Sequence, residues 1–127
     1  MIDHEFARAF AEEWIAAWNA HDLERILSHY ADDFEMRSPL IAERMGEPSG
    51  RLRGKAAIRP YWAQGLARET LRFTLVDVLA GADSIAILYH RETGRLVAEV
   101  IELDAARRAV RGIAHYAHDG DGRSDRR

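Results

Sequence analysis

The stretch Glu13-Trp14-Ile15-Ala16-Ala17-Trp18-Asn19-Ala20-His21-Asp22-Leu23-Glu24-Arg25-Ile26-Leu27 predicts an amphipathic helix, a tight break over Asn19–Asp22 and a second helix. Upstream of it, Phe6, Phe10, Trp14 and Trp18 recur every four residues, with Ala7, Ala11, Ile15 and Ala17 beside them. One broad apolar face follows from that spacing. Arg8, Glu12 and Glu13 take the other side. Asp22 is placed to cap the second helix, because its carboxylate can accept from free N–H groups of the first turn. Leu23, Ile26, Leu27 and Tyr30 then form the buried face of that helix. Phe34–Ser38 alternates as a short strand, ended by Pro39.

Residues 40–53 hold Gly46, Pro48, Ser49 and Gly50 and are expected to form a long loop over a cavity. A third helix is expected over Gly54–Ala67, where Ile58, Trp62 and Leu66 lie four apart. Pro60 removes a hydrogen bond there, so a kink or an irregular first turn is expected. Four strands follow: Leu71–Leu79, Ser84–His90, Leu96–Leu103 and Ala109–Ala117. The alternation of the first slips near Val76, which points to a bulge. Short connections make these strands an antiparallel meander. The expected architecture is α+β, with three N-terminal helices on a strongly curved, mainly antiparallel sheet.

Composition narrows the function classes. The 127 residues carry 18 basic and 21 acidic side chains, a net charge of −3. No electrostatic case for nucleic acid or an anionic membrane follows. The absence of cysteine excludes disulfides, thiolate metal sites and a Cys nucleophile. No run approaches the ~18 apolar residues of a membrane span. The first residues lack a signal-peptide pattern, so the cytoplasm is the expected location. One domain is expected over residues 1–118, and the polar, Gly-rich residues 119–127 are expected to be a disordered tail.

Both faces of the middle strands are apolar: Ile85 and Ile87 oppose Ala86 and Leu88, and Val97 and Ile101 oppose Ala98 and Val100. An antiparallel sheet with one wet face alternates more cleanly. The helices cover one face, so a homodimer packed through the outer face is expected.

The chain resembles the nuclear transport factor 2-like superfamily, in its SnoaL-like and ketosteroid-isomerase-like branch. The resemblance rests on Trp18-Asn19-Ala20-His21-Asp22-Leu23, Tyr30-Ala31-Asp32-Asp33-Phe34, Ser38-Pro39, Gly54-Lys55-Ala56-Ala57-Ile58 and the final Gly112–Tyr116 segment. It runs from about residue 5 to 117 and implies a cone-shaped fold with an internal pocket. The superfamily contains isomerases, cyclases, dehydratases, epoxide hydrolases and noncatalytic association domains, so the fold alone carries no function. Its steroid isomerases use an Asp base on the first strand, a Tyr donor on helix one and an Asp donor on the fourth strand. Those positions are Ser38, Trp14 and Glu99 here. Two of the three differ in kind, which argues against ordinary ketosteroid isomerisation.

The candidate chemistry moves to the sheet. Glu99 lies in the apolar run Val97-Ala98-Glu99-Val100-Ile101 and shares the parity of Val97 and Ile101. Burial of such a carboxyl raises its pKa and makes it a poised acid or base. An outward Glu99 in an intersubunit ion pair is the alternative. The resemblance places His90 in the cavity beside Glu99, and a Glu–His pair is an acid–base unit near neutral pH. A half-solvated His at a hairpin mouth is its alternative. By the same resemblance Trp14, Tyr30, Ser38, Trp62 and Tyr116 contact a ligand. Tyr30 also reads as a core aromatic, and Trp18 as core. Arg37 reads as a carboxylate anchor or a solvated side chain. No metal site and no cofactor are expected.

Two functions remain. The first is a pocket for a small apolar or cyclic metabolite; if catalytic, it performs cofactor-free proton transfer of the isomerase, cyclase or dehydratase type. A cavity of a few hundred Å³ lined by His90 and Glu99 is its signature. The second is a noncatalytic dimeric binding or association module, its pocket filled by side chains.

Overall fold

Side chains hold the helix break that opens the chain. In the computed structural model, which describes residues 1–118, helix α1 (His4–Asn19) is capped by Asp3. At its end the Asn19 amide donates to the Phe73 carbonyl at 2.8 Å and accepts from the Phe73 N–H at 2.7 Å. His21 adopts a left-handed backbone, φ 55°. Its Nδ1 and Nε2 each lie 2.9 Å from a backbone carbonyl oxygen, of Leu66 and Leu71 respectively. Asp22 caps α2 (Leu23–Leu27), accepting the Arg25 N–H at 3.1 Å. Glu13 accepts two hydrogen bonds from Arg25, at 2.8 and 2.9 Å, and faces His29 at 3.1 Å. Chiefly through Arg25, its carboxyl pKa is held down at about 2.

The six-stranded mixed sheet consists of β1 (Tyr30–Arg37), β2 (Arg51–Arg53), β3 (Phe73–Ala80), β4 (Ser84–Arg91), β5 (Leu96–Leu103) and β6 (Ala109–Tyr116). Its order is β2-β1-β6-β5-β4-β3. β1 runs parallel to β6, and the other pairs are antiparallel. The expected bulge in β3 falls between Leu75 and Asp77. One face is buried under the helices, and its residues alternate as a pleated strand requires. Ile85, Ile87 and Tyr89 point inward on β4, and Val97, Glu99, Ile101 and Leu103 on β5. The architecture is α+β, helices on a curved open sheet.

The expected long loop is largely ordered structure. Residues 40–53 contribute most of helix α3 (Pro39–Met45) and all of β2. Four helices, not three, therefore precede the meander. Ser38 is the N-cap of α3 and accepts the Leu40 N–H at 3.1 Å, while Pro39 occupies the first helical position. Proline suits that place because its missing N–H would have had no helical partner. Gly46 ends the helix at φ 67°, a conformation glycine adopts without steric penalty.

The remaining helix, α4 (Lys55–Leu66), continues through the exposed Pro60. Its first turn is tightened, with the Gly54 carbonyl accepting from both Ala57 and Ile58. No helix among the described residues is long and apolar enough to cross a membrane. The expected disordered tail lies outside the described residues.

Candidate active site

The inward parity of β5 carries Glu99 into the apolar interior. It pairs with Ile87 on β4 and Ala114 on β6 and is only 3% exposed. Gly112 makes room for its carboxyl. A Cβ at that position would lie 3.4 Å from Glu99 Oε2 and 3.0 Å from the Met36 sulfur. No ion pair or hydrogen bond offsets the loss of water around Glu99, and burial pushes its pKa up to about 8. The carboxyl is therefore largely protonated at neutral pH and ionises just above it.

Four phenols face this carboxyl. Tyr30, Tyr61, Tyr89 and Tyr116 are each pushed above the ordinary tyrosine value, first by burial and further by the negative charge of Glu99. They stay protonated over the working pH range and can donate hydrogen bonds. The Trp14 indole N–H donates to the Tyr30 oxygen at 2.9 Å. Tyr61 donates to the Ser38 hydroxyl at 3.4 Å, and Tyr116 lies beside the same hydroxyl.

A cavity of about 50 Å³ opens beside Glu99. Trp14, Trp18, Tyr61, Trp62, Phe73, Tyr89 and Tyr116 form its aromatic wall, with Met36, Leu40, Gly65 and Leu71 between them. Glu99, Arg44 and Arg91 are its charged members. The rings interlock: Trp14 stacks on Phe73 at 5.9 Å between centroids, and Trp18 meets Trp62 edge-on at 5.3 Å. This packing leaves far less free space than the few hundred Å³ that would mark the open-pocket reading.

Several expectations need correction. His90 does not reach the cavity. Because Ile87 is the partner of Glu99, the odd-numbered residues of β4 point inward and His90 points outward. It is exposed, with Nδ1 3.0 Å from the Gly94 carbonyl oxygen. The expected Glu–His pair does not exist, and Tyr89 occupies the inward place next to it. Ser38 is buried but outside the cavity wall, occupied with capping α3. Tyr30 sits behind the wall, bonded to Trp14, so the Trp14 N–H already has an acceptor. Trp14, Trp62, Tyr116 and Glu99 do line the cavity. Arg37 bonds to Glu35 instead of a ligand.

Sequence reasoning missed Trp18, Tyr61, Phe73, Tyr89, Arg44 and Arg91. Tyr89 and Arg91 share the parity of Ile85 and Ile87, but with both faces of β4 apolar the sequence left open which parity is inward. Among the described residues, no group of three His, Asp or Glu side chains is placed to hold a metal ion.

The family model of the SnoaL-like domain matches residues 11–125. The chain belongs to the SnoaL-like domain family. A SnoaL-like protein of unknown function from Burkholderia thailandensis is 52% identical to this domain. Their alignment covers 92% of this chain and 98% of that one, with a TM-score of 0.89. An NTF2-like protein of unknown function from Mesorhizobium loti is 16% identical, covers 93% and 97% of the two chains and has a TM-score of 0.71. An epoxide hydrolase/cyclase-like enzyme of pyran ring formation in the polyether salinomycin is 15% identical. It covers 92% and 95% of the chains with a TM-score of 0.70. At such identities the last two share the fold of this SnoaL-like domain and establish nothing about its activity. No curated protein matches the chain by sequence.

Proposed function

We propose that this SnoaL-like domain is a cofactor-free proton-transfer enzyme acting on a small cyclic or apolar carbonyl compound. The observation that carries this reading is Glu99, a lone buried carboxyl with a pKa of about 8, facing phenols held in their protonated form. A base whose pKa lies near the working pH combines basicity with a usable ionised fraction. The Glu99 carboxylate takes a proton from the carbon next to the carbonyl. Tyr116 donates a hydrogen bond to the oxygen as negative charge develops there. Return of the proton to another carbon completes an isomerisation. Loss of a β-hydroxyl as water, with Glu99 supplying the proton, completes a dehydration. Attack of the enolate carbon on a second carbonyl closes a ring, and the protonated Glu99 returns its proton to the alkoxide that forms. The epoxide hydrolase/cyclase-like neighbour supports the fold's capacity for ring chemistry.

Deuterium exchange into cyclic ketones, followed by NMR, tests the first step without a known substrate. The expected result is protein-dependent exchange at the carbon beside the carbonyl, rising with pH and levelling above about 8. Glu99→Gln is expected to lower it by about 10²-fold or more. Exchange at the wild-type rate in Glu99→Gln sinks the proposal.

The small cavity favours a second reading, a noncatalytic dimeric binding or association module whose pocket is filled by side chains. On that reading Trp14→Ala only destabilises and changes no ligand response. Both readings include a homodimer through the outer sheet face. Ala86, Leu88, Ala98, Val100 and Ile113 are partly exposed there, and Leu79 and Leu96 are exposed. Size-exclusion chromatography with light scattering is expected to return twice the chain mass; a monomer at micromolar concentration contradicts it.

A further inference from the structure

The cavity wall has hydrogen-bond donors without acceptors. Arg91 is the last residue of β4, its side chain 10% exposed, and its buried Nε has no hydrogen-bond partner among the described residues. The nearest carboxylate is Glu92, 3.9 Å from Arg91 Nη2. Glu92 is already engaged by Arg68 at 2.6 Å and by the Arg72 N–H at 3.2 Å. The Trp18 indole N–H is likewise buried without a partner.

Both orphaned donors belong to the cavity lining and neighbour Phe73. The Arg91 guanidinium lies 5.9 Å from the Phe73 ring centroid, and the Trp18 ring 5.4 Å from the same ring. Arg44, on the last turn of α3, adds a second positive charge to this wall. Glu99 is the one acid among the lining residues. It lies deeper: its partner on β4 is Ile87, four residues from Arg91, or ~13 Å along the strand. Burial is the cause of its raised pKa.

Leaving a buried donor unpaired is costly, because it has given up its water without gaining a partner. A ligand that supplies oxygen acceptors relieves that cost, and a guanidinium selects a carboxylate among them. We infer that the natural substrate is an oxo acid, its carboxylate held by the Arg91 and Trp18 N–H groups and its carbonyl end presented to Tyr116 and Glu99. This substrate class rests on the proton-transfer reading, and it fixes which end of the molecule enters first. The apolar body lies against the aromatic wall, whose rings move apart to admit it, since the cavity itself holds only about 50 Å³.

The probes are 3-oxocyclohexanecarboxylate and its primary amide, a neutral compound of the same shape. Binding is measured by calorimetry and deuterium exchange by NMR, on the full chain. Wild type is expected to bind the acid at least 10-fold more tightly than the amide. Arg91→Gln is expected to abolish the preference, bringing acid and amide to the same affinity. Arg91→Lys keeps the charge but not the planar fork and is expected to restore part of the preference. Glu99→Gln is expected to keep the preference and lose the exchange.

If Arg91→Gln does not fold, Trp18→Phe serves in its place, with a smaller but measurable loss of acid affinity. Equal binding of acid and amide by wild type, no binding of either at millimolar concentration, or a preference that survives both substitutions overturns the inference. The two proposals fail separately. Glu99-dependent exchange without acid preference removes the oxo acid and leaves proton transfer. Acid preference with exchange unaffected by Glu99→Gln removes the reaction and leaves the anion site.

Discussion

The helix break and the cavity wall lie at opposite ends of one hydrogen-bonding scale. At the break the polar groups are matched. Asn19 satisfies both backbone groups of Phe73, His21 spans two carbonyls, Asp22 caps α2 and Glu13 holds Arg25. A few residues away in space, Trp18, Arg91 and Glu99 are buried with groups left unmatched. Trp18 directly precedes Asn19 in sequence, yet the two side chains face these opposite conditions. The break uses polar groups to place one element against another. The wall keeps them available, at a cost in stability, for something that is not part of the chain.

The sharpest way to break this contrast is to compare two carboxyls by pH. Glu99 has a folded pKa of about 8 against an ordinary value of 4.5. The folded state therefore holds a proton that the unfolded state releases between those values. Its stabilising effect is complete below about 4.5 and is lost as pH rises to about 8. Glu13 has the opposite sign. Its folded pKa of about 2 gives stability present above 4.5 and lost as pH falls towards 2. Denaturant titrations across pH are expected to lose the decline between about 4.5 and 8 in Glu99→Gln. Glu13→Gln is expected to lose a smaller acid-side decline, because that pair is half-exposed to solvent. If neither substitution changes its slope, the contrast between matched and unmatched carboxyls is wrong.

A smaller effect separates adjacent residues. Asn19→Ala strands the N–H and carbonyl of Phe73 and is expected to cost about 1–3 kcal/mol. Trp18→Phe removes an N–H that has no partner and keeps most of the ring, so less than about 1 kcal/mol is expected. Equilibrium unfolding of the two variants checks the order. A Trp18→Phe loss as large as that of Asn19→Ala would mean that the indole N–H is matched after all.

The same distinction decides what could be read from the sequence. Matched features leave local signatures. The four-residue spacing of Phe6, Phe10, Trp14 and Trp18 marks α1, Asp22 marks the cap of α2, and the slip near Val76 marks the bulge of β3. The inward parity of Glu99 was legible for the same reason. Helix α3 was legible too, since Ser38 followed by Pro39 is a helix start, but the turn residues after it, Gly46 to Gly50, outweighed that signal. The resemblance placed His90 in the cavity, and the strand's own pattern did not contradict it. With apolar residues on both faces of β4, the alternation did not announce which face was inner. Arg91 stayed hidden because a charged residue at a strand end, beside Glu92, looks solvated. Only the three-dimensional register shows it buried with its Nε unpaired. The size of the cavity depends on how seven rings from five elements interlock, and no local pattern encodes that.

The central claim is that Glu99 is buried without a partner and titrates near neutral pH. NMR observation of its carboxyl carbon across a pH series measures this directly, with Glu99→Gln to assign the signal. The expected midpoint is about 8. A midpoint in the ordinary glutamate range, near ~4.3, would show a solvated or paired carboxyl and contradict the account.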